Sequence, residues 1–386
     1  MTTYARVPVS MVKGDGAWLI DGEGNRYLDA ISGIAVCALG HSHPGFAKAV
    51  CEQVQTLTHT SNLYELPLQE ELAKTLCKAS GMDNVFFCNS GAESNEAAIK
   101  LARMHAWKNG NKTPRIIVTE GAFHGRTLGA LTATHSEKYQ TGFGPLPEGF
   151  DRIPYNDIAA LEAHLMLHDD VCAVMIEPVQ GEGGVIIPAA DYLQQVRRLC
   201  DEYNALLILD EVQTGNGRTG TYFAFQHSDI YPDILTTAKG LGNGFPIGAT
   251  LAKGEAAKVF EPGHHATTFG GSPLACAAAL AVYNAIEEEN LLANTTDIGQ
   301  YLLDSFKTNL GNLSSVVDIR GLGLMVGIEM NRPCGELLNA ARDKGILINI
   351  AAGKVIRLLP ALITTKEEAD LIIEVVSDIV KGFHEG

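Results

Sequence analysis

The chain has 386 residues, 46% of them hydrophobic and 19% charged, which is the make-up of a folded protein with room for two domains and excludes a disordered segment. A formal net charge of −16 argues against a general nucleic-acid or anionic-membrane surface, so any cation that holds an anionic ligand must act locally against the overall field. Eight cysteines occur without a C-x-x-C pair, "MTTYARVPVS" lacks a signal-peptide pattern, and no apolar run reaches membrane-span length; the expectation is reduced thiols and a cytoplasmic location, with neither a membrane nor a nucleic acid as partner.

Residues 16–29 read as two short strands around a polar, Gly-rich turn, and "PGFAKAVCEQVQTL" has the apolar spacing of a helix. From residue 85 onward the texture becomes short apolar runs separated by amphipathic segments: "VFFC", "RIIVT", "VCAVMIE", "ALLILD", "DILTT" and "PIGATLA". Such an alternation predicts a mostly parallel sheet covered on both faces. After an Ala-rich helix beginning near "PLACAAALAVYNAIEEE", the pattern changes again. "SSVVDIRGLGLMVGIEM" reads as a hairpin, "GELLNAARDKG" as a helix closed by Gly345, and "ILINI" and "KVIRLLPAL" as strands. "TTKEEADLIIEVVSDIVKGF" reads as a helix opened by a capping box from Thr365 to Glu368. The expected fold is α/β, with a large mostly parallel-sheet domain over residues 51–275 flanked by helices. A small α+β domain is expected from both chain ends, residues 1–50 and 276–386.

Four segments carry candidate chemistry. In "VFFCNSGAESNEAAIKLARMHA" a strand runs into a Gly-bearing loop that opens a helix, where free backbone N–H groups and the helix dipole favour an anion. Taken alone, this reads in the first place as a well-capped helix, and no Walker loop occurs in the chain. "VTEGAFHGRTLGA" again follows a strand and offers Phe123, His124 and Arg126. In "ALLILDEVQTGNGRTG" the apolar run ends at Asp210 and Glu211, and ligands of open α/β sheets gather outside the carboxyl ends of strands. Gly215, Gly217 and Gly220 of that stretch imitate a dinucleotide fingerprint, but they lie too far beyond the strand and no suitable helix follows. Finally, "PDILTTAKGLGNGFPIGATLA" holds a single charge after Asp233, the ammonium of Lys239. It reads either as a snorkelling surface lysine or as a desolvated, reactive amine. An anion cup, an aromatic ring, a strand-end carboxylate and a lone lysine are the four parts that pyridoxal phosphate requires.

The segments "SGIAVCALGHSHP", "HTSNLY", "NSGAESNEAAIKLAR", "GAFHGRT", "EPVQGEGGV", "ILDEVQTGNGRTG", "TTAKGLGNGFPIGA" and "HATTFGGSPLA" extend that reading. In this set and order, over nearly its full length, the chain resembles the class III aminotransferases of the fold-type I pyridoxal-phosphate enzymes. The resemblance implies that Lys239 is the Schiff-base lysine and that Asp210 pairs with the pyridinium nitrogen. Glu211, Val212 and Gln213 are then beside the cofactor, with Gln213 on its phenolic oxygen. Gly91 and Ala92 cup the phosphate, helped by Thr268 of the partner subunit in a homodimer with shared active sites, and Phe123 stacks on the ring. Arg126 is expected to hold a substrate carboxylate, Arg357 the α-carboxylate of glutamate or 2-oxoglutarate, and Glu182 to mask Arg357 when the other donor binds. No metal is implied.

The reaction so implied is a ping-pong transfer of a terminal amine to 2-oxoglutarate, with N2-acetylornithine as the expected donor and a place in arginine biosynthesis. Ornithine, succinylornithine and GABA are the alternative donors, and a non-catalytic pyridoxal-binding relative is the alternative of another class. Three positions depart from the family pattern. Thr267 stands where Ser is frequent and is expected to touch substrate, Ser272 stands where Asn is frequent, and Cys37 where Asn or Thr is.

Overall fold

The computed structural model describes residues 1–385. Three antiparallel strands open the chain: β1 (Met11–Asp15), β2 (Trp18–Asp21) and β3 (Arg26–Asp29). The last two are the expected pair. The first, "MVKGD", is nearly all exposed and so lacks the apolar alternation that marks a half-buried strand.

The largest sheet has seven strands: β4 (Asn84–Cys88), β5 (Arg115–Thr119), β6 (Phe150–Ile153), β7 (Val171–Ile176), β8 (Leu206–Asp210), β9 (Ile234–Thr237) and β10 (Gly248–Ala252). Their spatial order is β4-β10-β9-β8-β7-β5-β6. Only β10 runs against the rest, pairing antiparallel with both β4 and β9. The alternation of side chains across the pleat sorts β8 onto two cores. Leu207 and Leu209 pack with Leu193, Val196 and Leu199 of the helix Tyr192–Glu202. Leu206 and Ile208 pack with Ala98, Ile99 and Ala102 of the helix Gly91–Lys108. Each such side chain taken fully out of water contributes about 1.5–3 kcal/mol, which is why these strands read as unbroken apolar runs. β6 ("FDRI") was not among the expected strands: it is an edge strand with a charged pair in its centre.

The C-terminal part adds β11 (Val316–Leu322), β12 (Met325–Met330), β13 (Ile346–Leu347), β14 (Asn349–Ala351) and β15 (Val355–Leu358). Four of them form an antiparallel sheet in the order β11-β12-β15-β14, while β13 lies parallel to β3. The run "ILINI", expected as one strand, is therefore divided between two sheets, with buried Ile348 at the joint. The capping box is present: Glu368 N donates to Thr365 Oγ1 at 3.2 Å and Thr365 N to Glu368 Oε2 at 3.0 Å, opening the helix Lys366–Glu385. Among the described residues no helix is long and apolar enough to cross a membrane.

Candidate active site

The carboxyl ends of β8 and β9, the start of the helix Gly91–Lys108 and the loop after β5 converge on a cavity of about 380 Å³. Lys239, Asp210, Gly91, Ala92, Phe123, Arg126, Val212 and Gln213 all line it. A larger groove of about 1300 Å³ lies near the far end of that helix. Its cations are already engaged, Lys108 with Glu261 and Arg115 with Asp151 and Asp170, so it offers no comparable constellation.

The floor is a hydrogen-bonded network around Asp210, which is 3% exposed. Its Oδ2 accepts from Asn95 Nδ2 and from His124 Nδ1, both at 2.7 Å, and its Oδ1 accepts from the backbone N–H of Val212 at 3.0 Å and from Thr236 Oγ1 at 3.4 Å. Asn95 is itself oriented by Thr236 Oγ1, which donates to Asn95 Oδ1 at 2.7 Å. A carboxylate ringed by donors holds its direction. Glu211, expected beside a cofactor, turns the other way. It accepts from Thr214 Oγ1 and from the backbone N–H groups of Ala224 and Phe225 at 2.7–2.9 Å, anchoring the turn Ala224–Ser228. The reason is alternation along the chain: consecutive residues at a strand end face opposite sides.

Sequence reasoning missed two parts of this floor. Asn95 lies one helical turn beyond Gly91 and reads as ordinary helix. Glu177 directly follows β7, the same strand-end position that singled out Asp210, and so could have been found. Its Oε1 accepts from Phe123 N at 3.0 Å and its Oε2 from Gly181 N at 3.2 Å. Burial raises its carboxyl to about 7, with the His124 ring opposing and the Asp210 charge reinforcing.

Lys239 stands at the left-handed start of the short turn Lys239–Gly242, with φ 47°. Burial pushes its ammonium below the ordinary lysine range; Glu182, Asp210 and Glu177 oppose the shift, and the Arg357 cation adds to it. Its place in the cavity lining, half-buried, favours the desolvated amine over the snorkelling one. Opposite, Ser90 caps the helix by accepting from Glu93 N at 3.2 Å, leaving the first N–H groups of the helix directed at the cavity. A Cβ on Gly91 would lie 2.6 Å from Val212 Cγ1, and one on Gly125 2.9 Å from Ala92 Cβ. This corner is a cradle in which backbone, not side chain, meets whatever binds. An anion cup, a fixed carboxylate and an amine whose proton affinity is lowered by burial, all on one cavity, fit pyridoxal phosphate.

Two arginines were expected to hold substrate: Arg126 lines the cavity, whereas Arg357 and Glu182 do not and Arg357 adjoins it through Gln213. The Arg126 guanidinium lies 3.5 Å from the centre of the Tyr139 ring and 5.3 Å from that of Phe123. Cation–π attraction to the two rings holds it beside the cavity, and among the described residues no carboxylate pairs with it. Tyr139, in a polar segment without periodicity, gave no sequence signal. Arg357, on β15, is 1% exposed. Its Nη1 donates to Glu182 Oε1 at 2.7 Å and to Gln213 Oε1 at 3.3 Å, while Nε and Nη2 both donate to Asn349 Oδ1. The Glu182 contact is thus made through one nitrogen and not as a two-point fork, because Asn349 holds the rest of the guanidinium.

Thr267 Oγ1 accepts from Asn89 Nδ2 at 3.1 Å and so borders the cavity through Asn89. Thr268 does not line it and is exposed. Ser272 caps the helix Pro273–Glu288, accepting from Ala275 N at 3.5 Å, a task that Asn and Ser share. Cys37 is half-buried beside Gly33 and Gly244 and hydrogen-bonded to His41, and none of these contacts explains its departure from the family pattern.

The sequence model of the class III aminotransferases matches residues 2–380. The acetylornithine aminotransferase of Nitrosomonas europaea is 54% identical over 385 residues, covering 100% of this chain and 98% of that one. Among solved structures, the ornithine aminotransferase of Toxoplasma gondii ME49 superposes with a TM-score of 0.96 at 34% identity, covering 100% of this chain and 93% of its own. The N-acetylornithine aminotransferase of Stenotrophomonas maltophilia K279a does so with a TM-score of 0.86 at 37% identity, covering 99% and 98%.

Proposed function

The chain belongs to the class III aminotransferases and is a pyridoxal-phosphate-dependent transaminase, and from that premise we propose that it moves the terminal amine of N2-acetylornithine to 2-oxoglutarate. The products are N-acetylglutamate 5-semialdehyde and glutamate, a step of arginine biosynthesis. Identity above half over the full length with a relative named for this donor supports the choice. The observation that carries it is the pairing of buried Arg357 with Glu182, with Arg126 unpaired at the other end.

Pyridoxal phosphate, when bound, supplies an aldehyde carbon that condenses with amines and a protonated ring that takes up an electron pair. The helix start at Gly91 and Ala92 holds the phosphate with backbone N–H groups and the helix dipole. Asp210 would meet the ring nitrogen, and its hydrogen bonds to Asn95, His124 and the backbone of Val212 hold the carboxylate in that direction. Phe123 and Val212, which line the cavity, would close on the ring, and Gln213 would serve its phenolic oxygen. Lys239 would hold the aldehyde carbon through its amine and would be the residue placed to carry a proton at the substrate carbon, and burial lowers its affinity for that proton.

Arg126 takes the far carboxylate of either donor. The terminal amine of acetylornithine arrives at the Arg357 end, where a bare cation would repel it, and Glu182 cancels that charge. Glutamate instead brings its α-carboxylate to Arg357 and displaces Glu182. A single-nitrogen contact suits an ion pair that must open in every cycle, and the buried guanidinium accepts only a group that replaces the lost charge. The enzyme works as a homodimer in the cytoplasm, with Thr268 completing the phosphate site of the partner subunit.

The test is a single-turnover screen of amino donors followed by cofactor absorbance. N2-acetylornithine should bleach the cofactor with the highest rate constant over Kd among acetylornithine, ornithine, succinylornithine and GABA. A tenfold preference for any of the other three would replace the assigned donor.

A further inference from the structure

Glu182 sits on a five-residue loop, Gly181–Val185, whose geometry is unusual. The loop is pinched at its base by the antiparallel bridge between Gln180 and Ile186, with N···O distances of 3.2 and 3.0 Å. Inside it, Gly184 N and Val185 N both donate to Gly181 O, at 3.1 and 3.3 Å. Val185 is fully buried and has φ 53°, a left-handed conformation that a β-branched residue adopts only under constraint.

The constraint comes from the C-terminal sheet. Arg320 on β11, Gly327 on β12 and Arg357 on β15 are direct cross-strand partners, so the three point to one face of the sheet in a row, with the arginines two strand spacings apart. The loop lies across that row. Arg357 holds the Glu182 carboxylate at 2.7 Å. Arg320 holds the loop's last two carbonyls, Nε donating to Val185 O at 2.8 Å and Nη2 to Gly184 O at 2.7 Å. Between them Gly327 makes room: a Cβ there would lie 3.0 Å from Val185 Cβ. Arg320 is in turn fixed by Glu329 at 2.7 Å and Asp318 at 2.9 Å, and Glu329 also by Lys354 at 2.8 Å.

We propose that Arg320 is a positioning residue for the Glu182–Arg357 pair, clamping the strained Gly181–Val185 loop so that Glu182 is presented to Arg357. The inference rests on the donor reading given above and extends it. Without the clamp, Val185 leaves the left-handed region, the loop lifts from Gly327, and Glu182 covers Arg357 for less of the time. Arg357 is then more open to an α-carboxylate and more repulsive to a terminal ammonium. Arg320 itself touches neither substrate nor cofactor.

The experiment compares single-turnover rates with N2-acetylornithine and with glutamate in wild type, Arg320→Gln, Arg320→Lys, Glu182→Ala and the double variant Glu182→Ala/Arg320→Gln. Arg320→Gln should shift the ratio of the two rates roughly tenfold toward glutamate, and the double variant should shift no further than Glu182→Ala alone. Arg320→Lys should fall between, since one ammonium cannot hold two carbonyls in a fork. Gly327→Ala, which crowds Val185 from below, should shift the ratio in the same direction. Backbone hydrogen exchange in cofactor-free protein provides an independent readout: Arg320→Gln should speed exchange at Gly184, Val185 and Ile186 and leave β7 and β8 protected. No shift in Glu182→Ala refutes the switch on which the clamp depends. A shift in Glu182→Ala with none in Arg320→Gln, an equal loss in both half-reactions, or an additive double variant refutes the clamp alone.

Discussion

At the scale of single residues, two neighbours at the end of β8 show how position decides role. Asp210 and Glu211 are both buried acids, yet only Asp210 faces the cavity, held by Asn95, His124, Val212 and Thr236. Asp210→Asn should still bind the cofactor through its phosphate but lose roughly a thousandfold in kcat, because a neutral amide cannot stabilise a protonated ring nitrogen. Turnover near the wild-type level would remove Asp210 from that role, and Glu211 could not inherit it, since its carboxylate anchors Ala224 and Phe225. Lys239→Ala should retain the fold while turnover falls below about a thousandth of wild type, the size of a lost general base; circular dichroism and a coupled assay read the two quantities separately. Gly91→Ala addresses the cradle. Its Cβ would strike Val212 Cγ1 at 2.6 Å and should weaken cofactor binding about tenfold or more, seen as a higher Kd in an absorbance titration, with little change in melting temperature of the apo-protein.

At the scale of elements, the end of β3 organises the loop that brings Val36 to the cavity. Asp29 Oδ1 accepts from the backbone N–H groups of Ile31 and Ser32 at 3.1 and 2.8 Å, and Oδ2 pairs with His41 Nε2 at 2.9 Å. Between them Ser32, Gly33, Ile34 and Ala35 all have positive φ, a left-handed turn that costs about 1–2 kcal/mol for each residue with a Cβ and must be offset by its anchors. The hydrogen bond to Asp29 and then that to Cys37 raise the His41 imidazolium to about 9. A folded-state value above the ordinary 6.5 means that the folded protein binds the extra proton. The stabilisation, on the order of 2–3 kcal/mol, is complete below pH 6.5 and disappears as the pH rises through 9. His41→Gln should therefore lower the melting temperature at pH 6 and flatten its decline between pH 6.5 and 9.5. Parallel curves for the two proteins over that interval would show that the pair does not carry the effect.

At the scale of the whole molecule, the surface around Thr268 is out of keeping with an isolated chain. Leu63, Tyr64 and Phe269 are exposed by 86%, 69% and 62%, and the two segments that carry them are tied by Asn62 Nδ2, which donates to Gly270 O at 3.0 Å. Exposed apolar side chains on two tied segments, beside a hydroxyl that misses its own cavity, fit the proposed shared site. On that proposal Phe269→Glu should give monomers by sedimentation and weaken cofactor retention, since Thr268 would lose the partner subunit's phosphate site. A monomer with full activity at assay concentration would rule out the composite site. The net charge of −16 also bears on this scale: with the global field repelling dicarboxylates, capture falls to Arg126 and buried Arg357, and raised ionic strength should lower the KM for 2-oxoglutarate or leave it unchanged.

By itself the sequence determined the central sheet, the cofactor and the family, because long apolar runs, strand-end acids and a lone lysine are local patterns enforced by burial and by chemistry. It also marked Arg126, Arg357 and Glu182, through motifs. Tertiary structure alone decided the rest. The division of "ILINI" between two sheets depends on which partner each half meets; alternation sends Asp210 and Glu211 to opposite sides, but which of the two sides opens on the cavity depends on the segments packed there. Tyr139 reaches Arg126, and Arg320, Gly327 and Arg357 fall into one row, only when distant segments are brought together. Periodicity records the exposure of each residue along its own element; contacts across strands and loops leave no such trace, and in this protein they position the charges.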